Sequence, residues 1–294
     1  MKEIVIISGK GGTGKTSITA SFASLAARQS VVADCDVDAA DMHLLLAPDF
    51  AGKEAFYSGE TAVIDMDKCT RCNKCVKVCR FDAIDRINGD FVVDEIDCEG
   101  CGYCERVCPS QAIRMEEALS GHTYVSASRM GNTLVHAELA IAAENSGKLV
   151  TQVKNLARQK ASEQKQDYLI IDGSPGIGCP VTASVTGADY VVVVTESSLS
   201  GIHDLKRAWD LIQHFSIPSG LIINKADLNP EVTNQIKDFA EKKSMHLLAE
   251  IPYNEAFVKA MTQARTVVEQ DGALGDTVRE AWKNLTQRLG QRLA

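Results

Sequence analysis

The octapeptide Gly9-Lys10-Gly11-Gly12-Thr13-Gly14-Lys15-Thr16 narrows the possible folds more than any other part of this 294-residue chain. It satisfies the pattern G-x-x-x-x-G-K-[ST]. It sits between a β-branched apolar run, residues 3–7, and a helical stretch of small and apolar residues from Thr16 to about Arg28. Glycines in such a loop let successive backbone N–H groups face an anion, and the helix N-terminus adds its dipole. Lys15 is then placed to contact β- and γ-phosphates and the Thr16 hydroxyl to ligate Mg²⁺. Ser17 completes the set of cradle residues expected to hold a nucleotide. The flanking strand and helix argue against a chance glycine turn.

Further strand signals follow. Val31-Val32-Ala33 runs into an acidic cluster, Asp34, Asp36 and Asp38. Tyr168–Asp172, Tyr190–Thr195 and Leu221–Asn224 each read as a short buried strand followed by a helix, and Leu247–Ile251 as a last strand. Leu134 to Lys160 reads as helical, as does most of 254–293. Strands alternating with helices predict an α/β fold with a mostly parallel sheet covered on both faces. Residues 60–117 break the alternation. The expected organisation is a nucleotide-binding domain at 1–59 and 118–294 with an inserted module at 60–117.

That module holds eight of the ten cysteines in a repeated pattern. Cys69-x₂-Cys72-x₂-Cys75-x₃-Cys79 is followed by Cys98-x₂-Cys101-x₂-Cys104-x₃-Cys108-Pro109, and each run leads to an Ala-Ile pair, Ala83-Ile84 and Ala112-Ile113. The pattern resembles a bacterial two-cluster ferredoxin, an α+β module. In such modules the fourth cysteine of each run ligates the other cluster. The resemblance implies one [4Fe–4S] cluster on Cys69, Cys72, Cys75 and Cys108, and a second on Cys98, Cys101, Cys104 and Cys79. Zinc is the alternative for paired C-x₂-C units, but it would leave the third and fourth cysteines of each run superfluous. Arg80 departs from the proline often found after the fourth cysteine, without removing a ligand. Residues 67–80 carry a net charge of +4 and residues 94–110 a net charge of −4. Positive surroundings favour the reduced, more negative cluster, so the first cluster is expected at the higher potential. Screened, solvated faces are the competing reading.

The nucleotide loop, with Lys10 as a second lysine, resembles the deviant Walker A motif of the MinD, ParA, Mrp and nitrogenase-iron-protein family. The likeness covers roughly residues 1–55 and 120–260. It implies a P-loop ATPase that dimerises when ATP is bound, with Lys10 reaching the partner's nucleotide. Carried over, Lys10, Lys15, Asp36 and Asp172 are the expected catalytic residues: Asp36 on Mg²⁺ or the attacking water, and Asp172 in the Mg²⁺ shell at the head of a switch loop, Asp172-Gly-Ser-Pro-Gly176. Asp34 is a weaker candidate, since a strand-end acid can instead cap the next helix. Asn224 is expected at the adenine, with Asp227 and Pro252 also among the nucleotide-binding residues. Asn224-Lys-Ala-Asp227 also fits a guanine-reading motif, so GTP stays open beside ATP. Cys179 follows Asp172 at the spacing of a cluster-ligating cysteine in the nitrogenase iron protein. That leaves a bridging cluster or a plain buried thiol as its two readings, and Cys35 reads as core-facing.

Val278, Trp282, Leu285, Leu289 and Leu293 recur at helical spacing, with Arg279, Lys283, Arg288 and Arg292 elsewhere. Such a helix packs on the sheet or, as in MinD-like proteins, binds a membrane surface; packing is the expectation. No apolar run approaches the roughly 20 residues of a membrane span. The net charge of −8 argues against a broad nucleic-acid surface, and the chain is expected to be cytoplasmic. The function expected is an ATP-binding, ATP-hydrolysing iron–sulfur protein. In it a nucleotide-switched homodimer gates electron transfer through the two clusters to a partner protein. An ATPase that assembles or carries Fe–S or metal cofactors, and a MinD/ParA-like positioning ATPase with redox-sensing clusters, are the alternatives.

Overall fold

A computed structural model describes residues 1–140, 146–270 and 272–290. The chain divides into two compact units, one built from Met1–Glu54, Thr123–Glu138 and Ser146 onward, the other from Ala55–His122 and 139–145.

In chain order the first unit contains β1 (Lys2–Ser8), α1 (Lys15–Ala26), β2 (Ser30–Asp34) and α2 (Met42–Leu46). The second unit then takes most of β3 (Glu54–Ile64), followed by α3 (Lys74–Val78), β4 (Ile84–Ile87), β5 (Asp90–Val93), α4 (Tyr103–Val107) and the start of β6 (Ile113–Ala127). The first unit resumes with the end of β6, β7 (Thr133–Leu139), α5 (Ser146–Glu163), β8 (Tyr168–Pro175), α6 (Cys179–Val185), β9 (Tyr190–Glu196) and α7 (Leu199–His214). It closes with β10 (Ser219–Asn224), α8 (Pro230–Lys242), β11 (His246–Ile251), α9 (Ala256–Thr262) and α10 (Ala273–Gly290).

The sheet of the first unit runs β11-β10-β9-β1-β8-β2-β7 and then the end of β6. The pairs β10–β11, β9–β10, β1–β9, β1–β8, β2–β8 and β2–β7 are all parallel. The central strands are apolar on both faces because helices cover both: Ile4, Val5, Ile6 and Ile7, and Leu169, Ile170 and Ile171, are fully buried. The parallel arrangement brings the carboxyl ends of β1, β2, β8, β9 and β10 to one edge, where open α/β sheets bind ligands.

The stretch expected to be helical from Leu134 begins instead as strand β7, and the helix starts only at Ser146. Thr133-Leu-Val-His-Ala-Glu-Leu139 places Leu134, Val135, His136 and Ala137 in consecutive buried positions. A strand inside a sheet covered on both faces buries its alternating side chains on either side, which accounts for four buried positions in a row. His136 stacks on Tyr124 at 4.9 Å. Burial pushes its imidazole down to about 4, so it is neutral in this strand.

The terminal helix α10 spends its apolar stripe inside. Val278, Leu285 and Leu289 are buried, and Trp282 lies 5.2 Å from Phe22 of α1 and 5.3 Å from Tyr168 of β8. Arg292 and Leu293 lie outside the described residues. No helix among the described residues is long and apolar enough to cross a membrane.

In the second unit β3 neighbours β6, and β4 and β5 form an antiparallel hairpin. Its turn is Asn88-Gly89, both at positive φ (53° and 94°), the pairing a two-residue hairpin demands. The two cysteine runs repeat their backbone. Left-handed residues stand two after the first cysteine (Arg71, Gly100), just after the second (Asn73, Gly102) and three after the fourth (Asp82, Gln111). Each run thereby gives one short helix, α3 or α4, at the same place.

A buried ionic cluster fixes α5 beneath β1 and the turn after α6. Lys154, 2 % exposed, contacts Glu3, itself 4 % exposed, at 2.8 Å and donates to the carbonyls of Ser184 and Thr186. Arg158 holds the other Glu3 oxygen at 2.6 Å. Removing one member of a buried pair leaves the other uncompensated. Lys154→Ala is expected to lose about 3 kcal/mol in urea unfolding, and adding Glu3→Gln to recover part of it. A Lys154→Ala loss under about 0.5 kcal/mol contradicts the assignment.

Candidate functional site

The phosphate-loop residues are positioned by what surrounds them. Gly14 caps α1 with φ +94°, and a Cβ there would stand 2.5 Å from Asn224 Nδ2. A Cβ on Gly9 would strike Asp204 of α7. Glycine is therefore dictated at Gly9 by close approach and at Gly14 by its positive φ. A cavity of about 450 Å³ opens beside the loop, lined by Gly11, Gly12, Gly14, Lys15, Thr16, Ser17, Asp36, Asn224 and Lys225 on its polar side. Tyr253, Phe257, Val258 and Met261 supply an apolar wall. A polar cradle opposite an apolar wall suits a molecule with a phosphate chain at one end and a flat base at the other.

Lys15 is 5 % exposed. Its Nζ lies 2.8 Å from Asp172 Oδ2 and 3.2 Å from Asp36 Oδ2. Burial opposes its charge, but these carboxylates outweigh burial and lift its pKa above the ordinary lysine value. Asp172 is fully buried, and the Thr16 and Thr19 hydroxyls each donate to it at 2.7 Å. Asp36, 8 % exposed, is raised by burial against the pull of Lys15. Asp34 is raised to about 8, first by burial and then by Asp172. It accepts the N–H of Asp36 at 3.1 Å and of Met42, the first residue of α2, at 3.2 Å, which is the helix-capping role. Cys35 faces the core, and burial pushes its thiol up. Its carbonyl accepts from the Ser174 hydroxyl at 2.6 Å, which ties β2 to the Asp172–Gly176 loop.

Lys10 does not line the cavity. Its Nζ sits 2.6 Å from Glu196 Oε1 and donates to Ser200 Oγ at 2.8 Å. Lys225 takes the other Glu196 oxygen at 2.9 Å and donates to the carbonyl of Gly12 at 3.1 Å. Against the opposing effect of burial, the two lysines hold the Glu196 carboxyl below its usual range. Glu196 escaped the sequence reading. The available signal is its place, an acid closing the buried run Tyr190–Thr195 at the ligand-binding edge of the sheet. Thr19 and the apolar wall of α9 were missed too, because only tertiary contact brings them to the loop.

Asn224 lines the cavity, yet its Nδ2 donates to the Thr13 carbonyl at 2.8 Å and its Oδ1 accepts from Lys225 N at 3.0 Å. Asp227 and Pro252 stand outside the lining residues. Asp227 Oδ1 accepts the backbone N–H of Tyr253 at 2.6 Å, fixing the loop that leads to α9. The amide and the carboxylate that would read guanine in an Asn-Lys-x-Asp motif thus have other contacts, Asn224 with Thr13 and Lys225 N, and Asp227 Oδ1 with Tyr253 N.

The cysteines of the second unit separate into two groups of four. Cys69, Cys72, Cys75 and Cys108 line one cavity, and Cys79, Cys98, Cys101 and Cys104 line another. The fourth cysteine of each run therefore stands with the first three of the other. All eight are free thiols. The N–H of Arg71 donates to Cys69 Sγ at 3.4 Å and that of Ala112 to Cys108 Sγ at 3.3 Å. Burial pushes the Cys75 and Cys104 thiols up. Cys108, despite its partial burial, is held low by the Ala112 N–H and the Ser110 hydroxyl. Among the described residues no three His, Cys, Asp or Glu side chains are grouped to hold a single metal ion. A single ion needs its ligands about 2.3 Å from one point, whereas a four-iron cube takes one thiolate at each of four separate corners. Two sets of four free thiols, each lining its own largely apolar cavity, fit the cube. Cys179 is exposed in the first turn of α6.

Residues 4–267 match the CobQ/CobB/MinD/ParA nucleotide binding domain. The chain belongs to that family of P-loop ATPases. An uncharacterized protein of Methanocaldococcus jannaschii, MJ0578, is 32 % identical over 97 % of this chain and 96 % of its own. The light-independent protochlorophyllide reductase iron-sulfur ATP-binding protein of Chlorobium chlorochromatii is 25 % identical over 43 % of this chain and 49 % of its own. The septum site-determining protein MinD from Pyrococcus horikoshii, complexed with Mg-ADP, shares the fold at a TM-score of 0.59 and 17 % identity, over 98 % of this chain and 97 % of its own.

The engaged Asp227 leads to a nucleotide prediction. In competition binding, a tenfold excess of GTP, as an order-of-magnitude choice, is expected to leave most bound ATP in place, and Asp227→Ala to shift the ATP:GTP preference by less than about twofold. A large loss of GTP binding in that variant contradicts the geometry.

Proposed function

We propose that this protein binds and hydrolyses ATP on Mg²⁺ and carries two [4Fe–4S] clusters, and that nucleotide-dependent pairing of two copies gates electron transfer from the clusters to a partner protein. The observation that carries the reading is the separation of eight thiols into two groups of four, in a chain whose buried lysine is shared between two switch carboxylates. The partly similar reductase subunit, named for both iron–sulfur and ATP binding, supports it.

Each step falls to residues already described. Lys15 would exchange Asp172 and Asp36 for phosphate oxygens, leaving Asp172 to hold the Mg²⁺ shell and Asp36 the attacking water. Thr16 would hold the same Mg²⁺ through its hydroxyl. Because Asp172 is hydrogen-bonded through Thr19 and its loop is tied to Cys35 through Ser174, a change at the phosphate pulls on the whole 172–176 loop. Lys10 must leave Glu196 to reach the nucleotide of a second copy. The clusters, held by the two cysteine sets, supply one-electron chemistry. The pairs Arg71–Asp90 and Lys68–Asp65 offset two of the cations near the first set. Lys74, Lys77 and Arg80 have no ion-pair partner among the described residues, so the charge contrast with the acidic second set persists and favours a higher potential for the first.

An assembly or carrier role is the second reading, favoured by the exposed thiol of Cys179 beyond the switch loop. The positioning reading is weakened by α10, whose apolar face among the described residues is used internally.

Anaerobically prepared protein is expected to contain about eight iron and eight sulfide per chain. Redox titration followed by electron paramagnetic resonance should resolve two centres. Cys72→Ser should alter the one that reduces first, and Cys101→Ser the one that reduces second. Iron-free protein overturns the cluster reading, and the opposite order of reduction overturns the charge argument alone.

A further inference from the structure

The second unit carries a groove that neither the fold nor the cysteine ligation explains. It has a volume of about 490 Å³ and runs along β3 and β6 to the loop that bears Cys98. Glu60, Glu95, Glu99, Glu116 and Glu117 line it, and among the described residues no lysine, arginine or histidine does. Glu116 is paired with Arg114 at 2.6 Å. The other four have no ion-pair partner among the described residues. Grouping unpaired carboxylates costs self-repulsion that the free chain does not relieve, and the usual reason to keep such a group is a cationic surface that meets it.

Three further observations point the same way. Tyr57, Ile96 and Leu119 line the groove at 54 %, 62 % and 48 % exposure, a cluster of large apolar side chains among charges, as at protein interfaces. Among the described residues, the Ser58 and Thr61 hydroxyl oxygens, in the groove lining, have no hydrogen-bond partner. The groove also reaches the metal-binding module itself, since Cys98 forms part of its wall. Its shape is fixed there: Gly100, at φ +62°, packs its Cα on the carbonyl of Glu60 so closely that a Cβ would collide, which locks the Cys98–Cys101 loop against β3.

We propose that this groove docks the lysine-rich face of a one-electron carrier protein and brings the carrier's redox centre next to the cluster held by Cys98. The proposal rests on the iron–sulfur reading above. The exchange moves one electron, with no bond made or broken. Lysines of the carrier meet Glu60, Glu95, Glu99 and Glu117, while Tyr57, Ile96 and Leu119 give the short-range contact that charge alone does not.

The test uses the full chain with its clusters loaded and, as probe, a lysine-rich c-type cytochrome, with a carbodiimide that joins carboxylates to lysines at zero length. At low ionic strength the cross-links are expected to concentrate on Glu60, Glu95, Glu99 and Glu117. Glu60→Gln with Glu117→Gln should weaken binding of the cytochrome by about tenfold, and a cytochrome with succinylated lysines should fail to bind. Glu231→Gln with Glu241→Gln, on α8, should change binding by less than about twofold. Cross-links spread over the acids of the nucleotide-binding unit overturn the proposal. Unchanged affinity in the groove variant, or cross-links mainly to Lys74 and Lys77 of a second copy, overturns it equally. Iron and sulfide are assayed on the same samples. Missing clusters count against the functional reading, and failed docking on loaded protein counts against the groove.

Discussion

One buried ammonium organises the nucleotide end of this molecule. Lys15 sits out of water between Asp172 and Asp36, with Asp34 close behind. A buried charge persists only when it is paired and hydrogen-bonded. Here the pairing is lopsided, because several acids crowd one cation. The crowding is relieved partly by protonation, since burial and Asp172 lift Asp34 to about 8. On the proposed reading, a phosphate chain with its Mg²⁺ would alter this balance, offering Lys15 a new anion and the acids a new cation, so the charges that hold the loop would also make it responsive to nucleotide.

Around that centre the parallel sheet does the positioning. The ends of β1, β2, β8, β9 and β10 deliver the loop, the acids, Glu196 and Asn224 to one edge. Glu196 is the least conspicuous of these and has the widest reach, because it holds Lys10 and Lys225 at once. It keeps the signature lysine away from the cavity in the single chain. On the proposed reading, pairing of two copies through Lys10 would first have to break its ion pair with Glu196.

Much of this was legible in the sequence, for physical reasons. The phosphate loop is a local device whose glycines and lysine are contiguous, and it reads directly. The grouping of the cysteines is what the resemblance to a two-cluster ferredoxin implies, a resemblance carried by the spacing and repeat of the two runs. The left-handed residues Arg71 and Asn73 against Gly100 and Gly102 show why the spacing works, since the backbone folds the same way twice. What stayed hidden was non-local. Strand β7 resembled a helix because Leu134, Val135 and Ala137 suit either state, and only burial on both faces decides between them. Glu196 and the wall of Phe257 and Met261 acquire their roles from packing between segments distant in the chain. Asn224, expected at the adenine, also holds the phosphate loop through the Thr13 carbonyl, a second contact that no motif reveals.

The central claim is that the nucleotide governs electrons held by the cysteine module. Stopped-flow oxidation of the dithionite-reduced protein by a small one-electron acceptor tests it most directly, run with Mg-ATP, with Mg-ADP and with Lys15→Ala. The account predicts a rate that differs severalfold between ATP and ADP in the native chain and is indifferent to nucleotide in the variant, with the clusters retained in both. Identical rates under all nucleotide conditions, in protein that binds Mg-ATP and holds its clusters, would contradict it.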